Sequence, residues 1–216
     1  AKFTTVLIIR ILSLISFLVP KSIITVSKKA KIIYEKIGYN GKIIKFIPNG
    51  YDLSILKINK YQKIKFKKKN KIKKETFLIG KVARYDSQKD HLNLLNALNL
   101  IKLKNINFCC VLIGFNVDKK NVKLKSEISK LKLTNHVKLL GQNDNISEVM
   151  NALDIHVLSS RYGEGFPNVV AEAMACGTPC VVTDVGDSGL IVGKTGWVVP
   201  PKNSLMLAKA IENAFH

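Results

Sequence analysis

The sequence predicts an α/β fold in which helices cover both faces of a mostly parallel, Rossmann-like sheet. Short, continuously apolar segments such as FLIGKVA (77–83) and FCCVLIG (108–114) alternate with longer segments of helical character. A strand buried on both faces is apolar throughout, and strands that alternate with helices form parallel sheets. The chain of 216 residues is 47% apolar, which is enough to bury a sizeable core.

The first 52 residues are typical of the closing units of one such sheet. The predicted elements are a helix over 5–19, a strand over 22–27, a helix over 28–37, a strand over 42–47 and a turn at 48–50. The segment 53–74 that follows is dense in lysine, and we predict a solvated linker with a short helix there. A lysine patch for nucleic acid or membrane is the alternative for this segment.

Residues 75–216 predict a second, nearly complete domain of the same type. Its predicted strands are FLIGKVA, FCCVLIG, HVKLLG (136–141), DIHVLSS (154–160) and CVVTD (180–184), and its predicted helices cover 91–103, 123–132, 146–153, 167–176 and 204–216. The glycines at 186, 189, 193 and 196 predict turns, and GWVVPP (196–201) predicts a hairpin-like segment. Ligands of such sheets bind beyond the carboxyl ends of the strands.

The formal net charge of +20 is unevenly distributed. Residues 141–216 hold three lysines and one arginine against eight acidic residues, about −4, so the remainder carries about +24. The 32 lysines outnumber the three arginines, although arginine is the preferred residue for reading bases and gripping phosphates. We therefore expect no nucleic-acid partner and attribute the lysines to an AT-rich coding bias. A basic face that contacts an anionic membrane remains a second interpretation.

The cysteines and the apolar start of the chain predict a cytoplasmic location. Cys109 and Cys110 are neighbours on a predicted strand and cannot easily pair, and Cys176 and Cys180 flank a Gly-Thr-Pro turn. No cysteine or histidine set has zinc spacing, so buried thiols in a reducing cytosol are expected. The apolar run 6–19 is short for a membrane span and contains Arg10, which favours a buried or lipid-adjacent amphipathic helix.

The most informative segment joins two glutamates eight positions apart, Glu164 and Glu172. Pro167 suits the first turn of a helix, and Gly177 suits its carboxyl end. Glu164 then lies on the loop before the helix and Glu172 inside it, beside a helix start that favours anions. A ligand with hydroxyls at both ends and phosphates between them, such as a nucleotide-sugar, fits this arrangement.

A second site follows the predicted strand FLIGKVA. Arg84 ends that strand and Lys89 precedes the next helix, so both cations can converge on one pyrophosphate. Arginine offers a planar fork and lysine a point charge, which together suit a diphosphate. An exposed basic turn is the alternative.

Three longer segments carry a family resemblance. SRYGEGFPNVVAEAMACGTPCVVTDVGDSGLIVGKTGWVVPP resembles the E-x7-E region of the retaining GT-B glycosyltransferases of family 4, and GKVARYDSQKDHLNLLNA resembles their G-R-x-x-x-x-K-G region, with Asp90 where many members have glycine. SIITVSKKAKIIYEKIGYNGKIIKFIPNGYD resembles the end of their first domain. The resemblance implies an acceptor-domain tail over 1–52, a linker over 53–74 and a donor-binding domain over 75–216.

The resemblance also assigns roles to residues. Arg84 and Lys89 would neutralise the leaving nucleotide diphosphate, Glu172 would accept hydrogen bonds from the ribose, and Glu164 would face the transferred sugar. The intervening loop would present backbone N–H groups to sugar and phosphate, and two further loops would close the nucleotide pocket. The residues of these loops are Gly165, Phe166, Pro167, Asn168 and Val169 for the first, and Gly114, Asn145 and Ile146 for the other two.

The resemblance implies a retaining transferase that moves a sugar from a UDP- or GDP-sugar to a glycan or lipid-linked acceptor in bacterial surface-polysaccharide synthesis. No D-x-D motif is present in the sequence, so we expect no metal and no cofactor beyond the donor substrate. We expect the 216 residues to be a fragment that binds nucleotide but turns over poorly, with peripheral contact at the inner membrane face as an extension. A non-catalytic nucleotide-sugar binding module and a basic membrane- or nucleic-acid-binding protein are the alternatives.

Overall fold

The computed structural model describes residues 3–216, which form two compact units. One unit ends at Gly50, and the second is Tyr51–His216. The first unit contains two helices and a pair of parallel strands, β1 and β2. Its elements are α1 (Phe3–Ile15), β1 (Ile23–Thr25), α2 (Lys28–Ile37) and β2 (Ile44–Phe46).

Local capping explains the bounds of α2, which match the predicted helix over 28–37. The Ser27 hydroxyl accepts a hydrogen bond from the Ala30 N–H at the start, and Gly38 ends the helix with a left-handed φ of +109°. The other elements of this unit are shorter than predicted. Helix α1 ends at Ile15 rather than 19, and a 3-10 turn at Gly41–Ile43 takes the start of the predicted strand 42–47.

The second unit is a six-stranded parallel sheet with helices on both faces, as predicted. The strand order is β5-β4-β3-β6-β7-β8, and every neighbouring pair is parallel. Its elements are α3 (Lys60–Lys69), β3 (Phe77–Val82), α4 (His91–Lys102), β4 (Phe108–Ile113), α5 (Val122–Lys130), β5 (Val137–Gly141), α6 (Ile146–Ala152), β6 (Ile155–Leu158), α7 (Asn168–Ala175), β7 (Cys180–Thr183), α8 (Ser188–Val192), β8 (Trp197–Val199) and α9 (Ser204–Phe215).

The sheet separates two apolar clusters, one under each helical layer. The strands contribute alternate residues to the two sides, so Ile79 packs in one cluster and Leu78 in the other. Helices α4 and α9 cover the first face, and α6 and α7 cover the second. All four cysteines are free and buried, as expected from their apolar surroundings.

One prediction for the segment after β7 is wrong, and another is confirmed only in part. GWVVPP does not form a hairpin, because β8 pairs in parallel with β7 as an edge strand. The turn predicted at glycines 186–189 continues into the short helix α8, which reverses the chain between these two parallel strands. A parallel connection needs such a crossover, whereas a hairpin joins antiparallel strands.

The lysine-rich segment 53–74 belongs to the second unit and is packed rather than wholly solvated. It contains the predicted short helix as α3, which packs against α6. Phe66 is 1% exposed, and Leu56 and Ile72 are also buried in the cluster beneath α6 and α7. Lys63 and Lys67 form ion pairs with Asp154, which further ties the segment to this unit.

We predict that Leu98→Ala lowers the free energy of unfolding of the second unit by about 2–5 kcal/mol, because it leaves a cavity in the cluster under α4. Leu92→Ala on the same helix is the matched control, since Leu92 is 45% exposed, and it should cost under about 1 kcal/mol. Urea unfolding followed by the fluorescence of Trp197, the sole tryptophan, measures both variants. Equal losses would contradict the packing described.

Candidate functional site

The loop between β6 and α7 holds the Glu164 carboxylate in a buried ion pair. Glu164 Oε1 accepts hydrogen bonds from Lys89 Nζ at 2.6 Å and from Ser160 Oγ at 2.6 Å. The side chains of Glu164 and Lys89 are only 7% and 16% exposed. Low exposure strengthens such a charge-assisted bond and fixes both groups in position.

The chain that follows β7 supports the backbone of this loop. Gly186 has a φ of +58°, and a Cβ there would lie 2.2 Å from the Glu164 carbonyl oxygen. The Asp187 N–H donates a hydrogen bond of 2.8 Å to the Gly165 carbonyl. Only glycine at 186 permits both this backbone conformation and this close approach.

The turn after β3 brings Lys89 to the glutamate. Ser87–Lys89 form a 3-10 turn, whose start is capped by the Asp86 carboxylate through the Gln88 N–H. Gln88 then joins this turn to the loop between β6 and α7 that carries Glu164, the glutamate loop. The side-chain Nε2 of Gln88 donates a hydrogen bond to the Gly163 carbonyl at 2.9 Å, and the backbone carbonyl of Gln88 accepts one from the Arg161 N–H at 2.8 Å. The two strand ends therefore form one connected structure.

Arg84, the other predicted diphosphate-binding cation, lies at the edge of this structure. Its side chain is 57% exposed. Within residues 3–216, its side-chain polar partners are Gln88 Oε1 at 3.5 Å and Asp86 Oδ2 at 3.9 Å. The structure thus brings Lys89 together with Glu164 and leaves the Arg84 guanidinium accessible to a ligand.

Helix α7 begins at Asn168, one residue later than predicted, and Pro167 is its N-cap rather than part of its first turn. The cap provides no side-chain hydrogen bond. Pro167 also has no N–H, so the prediction of a backbone donor is wrong for this residue. The Asn168 Oδ1 accepts a hydrogen bond of 2.8 Å from the Tyr51 hydroxyl.

Glu172 lies on α7, about one turn after its start. Its side chain is partly buried, and this burial raises the pKa of the carboxyl above its ordinary value. In the part of the chain that the structure describes, no hydrogen bond or ion pair joins this carboxylate to Glu164, Lys89 or Arg84. It therefore remains available to accept hydrogen bonds from ligand hydroxyls.

The two other predicted loops have structural roles, and their backbone groups are already hydrogen-bonded within the protein: the Gly114 N–H donates to the Gly141 carbonyl at 2.8 Å, and the Asn145 N–H donates to Asn143 Oδ1 at 2.9 Å. Gly114 has a φ of +147°, and a Cβ there would lie 2.2 Å from the Ala83 carbonyl oxygen, so the ends of β4 and β3 approach closely. The Asn145 side chain caps α6 by accepting from the Glu148 N–H at 3.0 Å. Ile146 packs against the cluster under α6. The contact of these residues with a nucleotide stays a prediction.

Lys81 lies on β3 directly behind this site and was not identified from the sequence. Lys81 is 1% exposed, and its Nζ donates to the Lys89 carbonyl at 2.6 Å and to Ser159 Oγ at 2.8 Å. Burial, and then the nearby Lys89 ammonium, lower the pKa of Lys81 to about 7, although Glu164 and Asp90 oppose this shift. A single lysine inside an otherwise apolar predicted strand was the available signal. Other missed residues that support the site are Gln88, Ser159, Ser160 and Arg161.

The two buried histidines, His91 and His156, are held in their uncharged form by burial. Burial lowers the pKa of His91 to about 2 and that of His156 to about 3. Both rings are therefore neutral at physiological pH.

Clusters able to hold a metal and helices able to span a membrane are both absent from residues 3–216. No group of three or more His, Cys, Asp or Glu side chains is arranged to hold a metal ion. Across the same residues, no helix combines the length and apolar character that crossing a bilayer requires.

Residues 62–216 match the family described as Glycosyl transferases group 1. The chain belongs to this family. It is 33% identical over 141 residues to EpsF of Bacillus subtilis, which covers 65% of this chain and 36% of that protein. It is 29% identical over 156 residues to the UDP-Gal:alpha-D-GlcNAc-diphosphoundecaprenol alpha-1,3-galactosyltransferase of Escherichia coli, covering 69% of this chain and 38% of that protein. The chain thus spans well under half the length of these relatives.

Solved structures confirm the predicted GT-B fold. HepE of Anabaena, in complex with UDP-glucose, superposes with a TM-score of 0.88 at 25% identity over 98% of this chain and 58% of that chain. The C-terminal domain of the group 1 glycosyl transferase LpcC from Francisella tularensis superposes with a TM-score of 0.63 at 22% identity, over 77% of this chain and 88% of that chain. The latter likeness shows the fold alone.

We predict that Gly186→Ala destabilises the protein more than Gly141→Ala. Both glycines have a positive φ, +58° and +70°, where an L-residue costs about 1–2 kcal/mol, but a Cβ at 141 makes only an ordinary contact, at 3.7 Å from the Asp118 Cβ. The additional loss in Gly186→Ala comes from the collision with the Glu164 backbone. Thermal unfolding of both variants measures the difference, and equal losses would show that the loop does not depend on this contact.

Proposed function

We propose that this chain carries the donor-binding part of a retaining glycosyltransferase that takes its sugar from a UDP- or GDP-sugar. The Lys89–Glu164 pair beside the start of α7 is the observation that carries the proposal. A nucleotide-sugar presents an anionic diphosphate between two sets of hydroxyls. One cation and one carboxylate in direct contact can recognise the junction between diphosphate and sugar.

The charges of the site suit the departure of a nucleotide diphosphate. When the bond from the sugar to the diphosphate breaks, negative charge grows on the leaving phosphate oxygens. Lys89 Nζ is already fixed by Glu164, and the accessible guanidinium of Arg84 can close on the same group. The fixed Lys89 ammonium and the positive start of α7 stabilise that charge without reorganising at the moment of reaction.

The two glutamates have different tasks in this proposal. Glu164 is held in place by two donors, so its remaining oxygen can orient the hydroxyls of the transferred sugar. Glu172 is partly desolvated and accepts hydrogen bonds from the ribose. We assign no nucleophile, because retaining glycosidases that form a covalent intermediate need two carboxyl groups about 5 Å apart, a geometry that the spacing of Glu164 and Glu172 does not establish. The acceptor then attacks the face from which the diphosphate departs, with a phosphate oxygen as base.

The acceptor and the biological pathway belong to the whole protein. We propose a glycan or lipid-linked acceptor in surface-polysaccharide synthesis, because the E. coli relative is named for a diphosphoundecaprenol-linked sugar. We propose that this reaction takes place in the cytoplasm, where nucleotide-sugars are made. Donor binding should need no divalent metal, since fixed cations meet the diphosphate.

A non-catalytic nucleotide-sugar module is the alternative within the same fold. Such a module needs Glu172 and the loops that surround the nucleotide. It does not need a buried ion pair such as Lys89–Glu164 beside the sugar. The retention of Glu164 with its two donors therefore favours a transferase.

We predict that Glu172→Ala weakens binding of UDP or GDP by about tenfold or more, since hydrogen bonds to a charged acceptor contribute about 1.5–3 kcal/mol. Isothermal titration calorimetry without metal measures the affinities for UDP, GDP and their sugar conjugates, and identifies the base. Glu212→Ala is the matched control, because Glu212 lies on α9, where it forms an ion pair with Lys104 away from this site. The donor assignment fails if Arg84→Ala and Glu172→Ala both keep the wild-type affinity.

A second proposal concerns contact with an anionic membrane through α3. This helix has six lysines among its ten residues, and Tyr61 and Ile64 on it are 83% and 62% exposed. A surface of lysines with interspersed apolar side chains is attracted to anionic lipid, by about 1 kcal/mol for each lysine near the surface.

We predict that replacing Lys60, Lys65 and Lys68 by glutamine reduces binding to phosphatidylglycerol vesicles by at least about tenfold. The matched control replaces Lys194, Lys202 and Lys209, which are also exposed and remove the same charge. Vesicle sedimentation at fixed ionic strength measures both triple variants. Equal binding of the two would exclude α3 as the contact surface.

A further inference from the structure

Lys81 connects three segments of the site at one buried point. Its Nζ donates to the carbonyl of Lys89, the residue whose own ammonium holds Glu164. It also donates to Ser159 Oγ, and the Ser159 hydroxyl in turn donates to the Asp90 carbonyl at 2.9 Å. Strand β3, the turn that carries Lys89 and the end of β6 therefore meet at this side chain.

Among residues 3–216, the Lys81 Nζ has two hydrogen-bond acceptors, the Lys89 carbonyl and Ser159 Oγ. A neutral amine has two N–H donors and is satisfied by them, whereas an ammonium has three. Full burial also opposes the charged form. The titratable groups around Lys81 come from five elements or loops: Lys89, Asp90, His91, Cys110, His156 and Glu164.

A purely structural role does not require an amine here. Replacing a buried charged group by an apolar residue of similar size often leaves the stability of the fold unchanged or raises it. The reason is that the free-energy cost of removing the charge from water disappears. Methionine would fill the same space beneath the turn. A lysine at this position has a cost in stability, and its contacts lead directly to the Lys89–Glu164 pair.

We propose that Lys81 is a positioning residue of the donor site, which fixes the Lys89 backbone and couples the affinity for a nucleotide-sugar to pH in the neutral range. This inference rests on the proposed function. The diphosphate of a bound donor brings negative charge to Lys89 Nζ and thereby favours the ammonium form of Lys81 behind it.

The direction of the pH dependence follows from linkage. The pKa of Lys81 is about 7 without ligand and rises when the anionic donor binds. Between these two pKa values the complex holds one proton more than the free protein, so binding takes up a proton. The affinity is then highest below pH 7 and falls as the pH rises through and above 7.

Calorimetric titration with UDP-glucose, or with GDP-mannose if only that donor binds, tests this coupling between pH 6 and 8.5. A nucleotide-sugar has no phosphate group that titrates in this range, unlike free UDP. Measurement in two buffers with different ionisation enthalpies counts the protons taken up. We expect the wild-type affinity to fall by about threefold or more across the range, with up to one proton taken up.

Two variants separate position from charge. Lys81→Met should bind the donor more weakly at pH 6, with no proton uptake and less than about twofold change with pH. Ser159→Ala keeps the amine but removes one of its two acceptors, so it should weaken binding while proton uptake remains. Thermal unfolding verifies that each variant is folded.

The outcomes distinguish this inference from the proposed function. If the wild type binds a donor but Lys81→Met has the same affinity and pH profile, the role of Lys81 is refuted and the donor site stands. If Lys81→Met loses affinity but keeps the pH dependence, the coupling is refuted. If folded wild type binds neither nucleotide-sugar, the proposed function fails and this inference fails with it.

Discussion

The ion pair of Lys89 and Glu164 is the interaction on which the organisation of the site depends. Its partners are 75 positions apart in the sequence and meet at 2.6 Å in a setting where both side chains are largely buried. Burying either charge alone would be costly, so the pair requires the turn and the glutamate loop to stay together. Gln88 joins the same two segments through its side-chain amide and its backbone carbonyl. Lys81 holds the turn by a hydrogen bond from its Nζ to the Lys89 carbonyl.

The topology of the sheet explains why these distant residues meet. Strands β3, β6 and β7 are neighbours in the sheet and run parallel, so their carboxyl ends lie along one edge. The Lys89 turn follows β3, the Glu164 loop follows β6, and the Gly186 turn follows β7. Three loops that are separate in sequence thus support one another, which makes the edge of a parallel sheet suitable for a preorganised anion site.

The sequence was sufficient for the parts of this arrangement that depend on local pattern. Apolar strands and capped helices predicted the sheet, and the spacing of Glu164 and Glu172 predicted a loop followed by a helix. The pairing of Lys89 with Glu164 rather than with a free diphosphate was not predictable, because it depends on which strand ends are adjacent. Lys81 was missed for the same reason, and β8 was misassigned because its parallel partner lies across a crossover.

A crystal structure of this protein with UDP-glucose or GDP-mannose is the most direct test of the donor site. We expect that Lys89 Nζ contacts a phosphate oxygen while remaining near Glu164, that Arg84 turns toward the diphosphate, and that Glu172 accepts hydrogen bonds from the ribose hydroxyls. A donor bound elsewhere on the sheet, or a diphosphate held without Lys89, would contradict it.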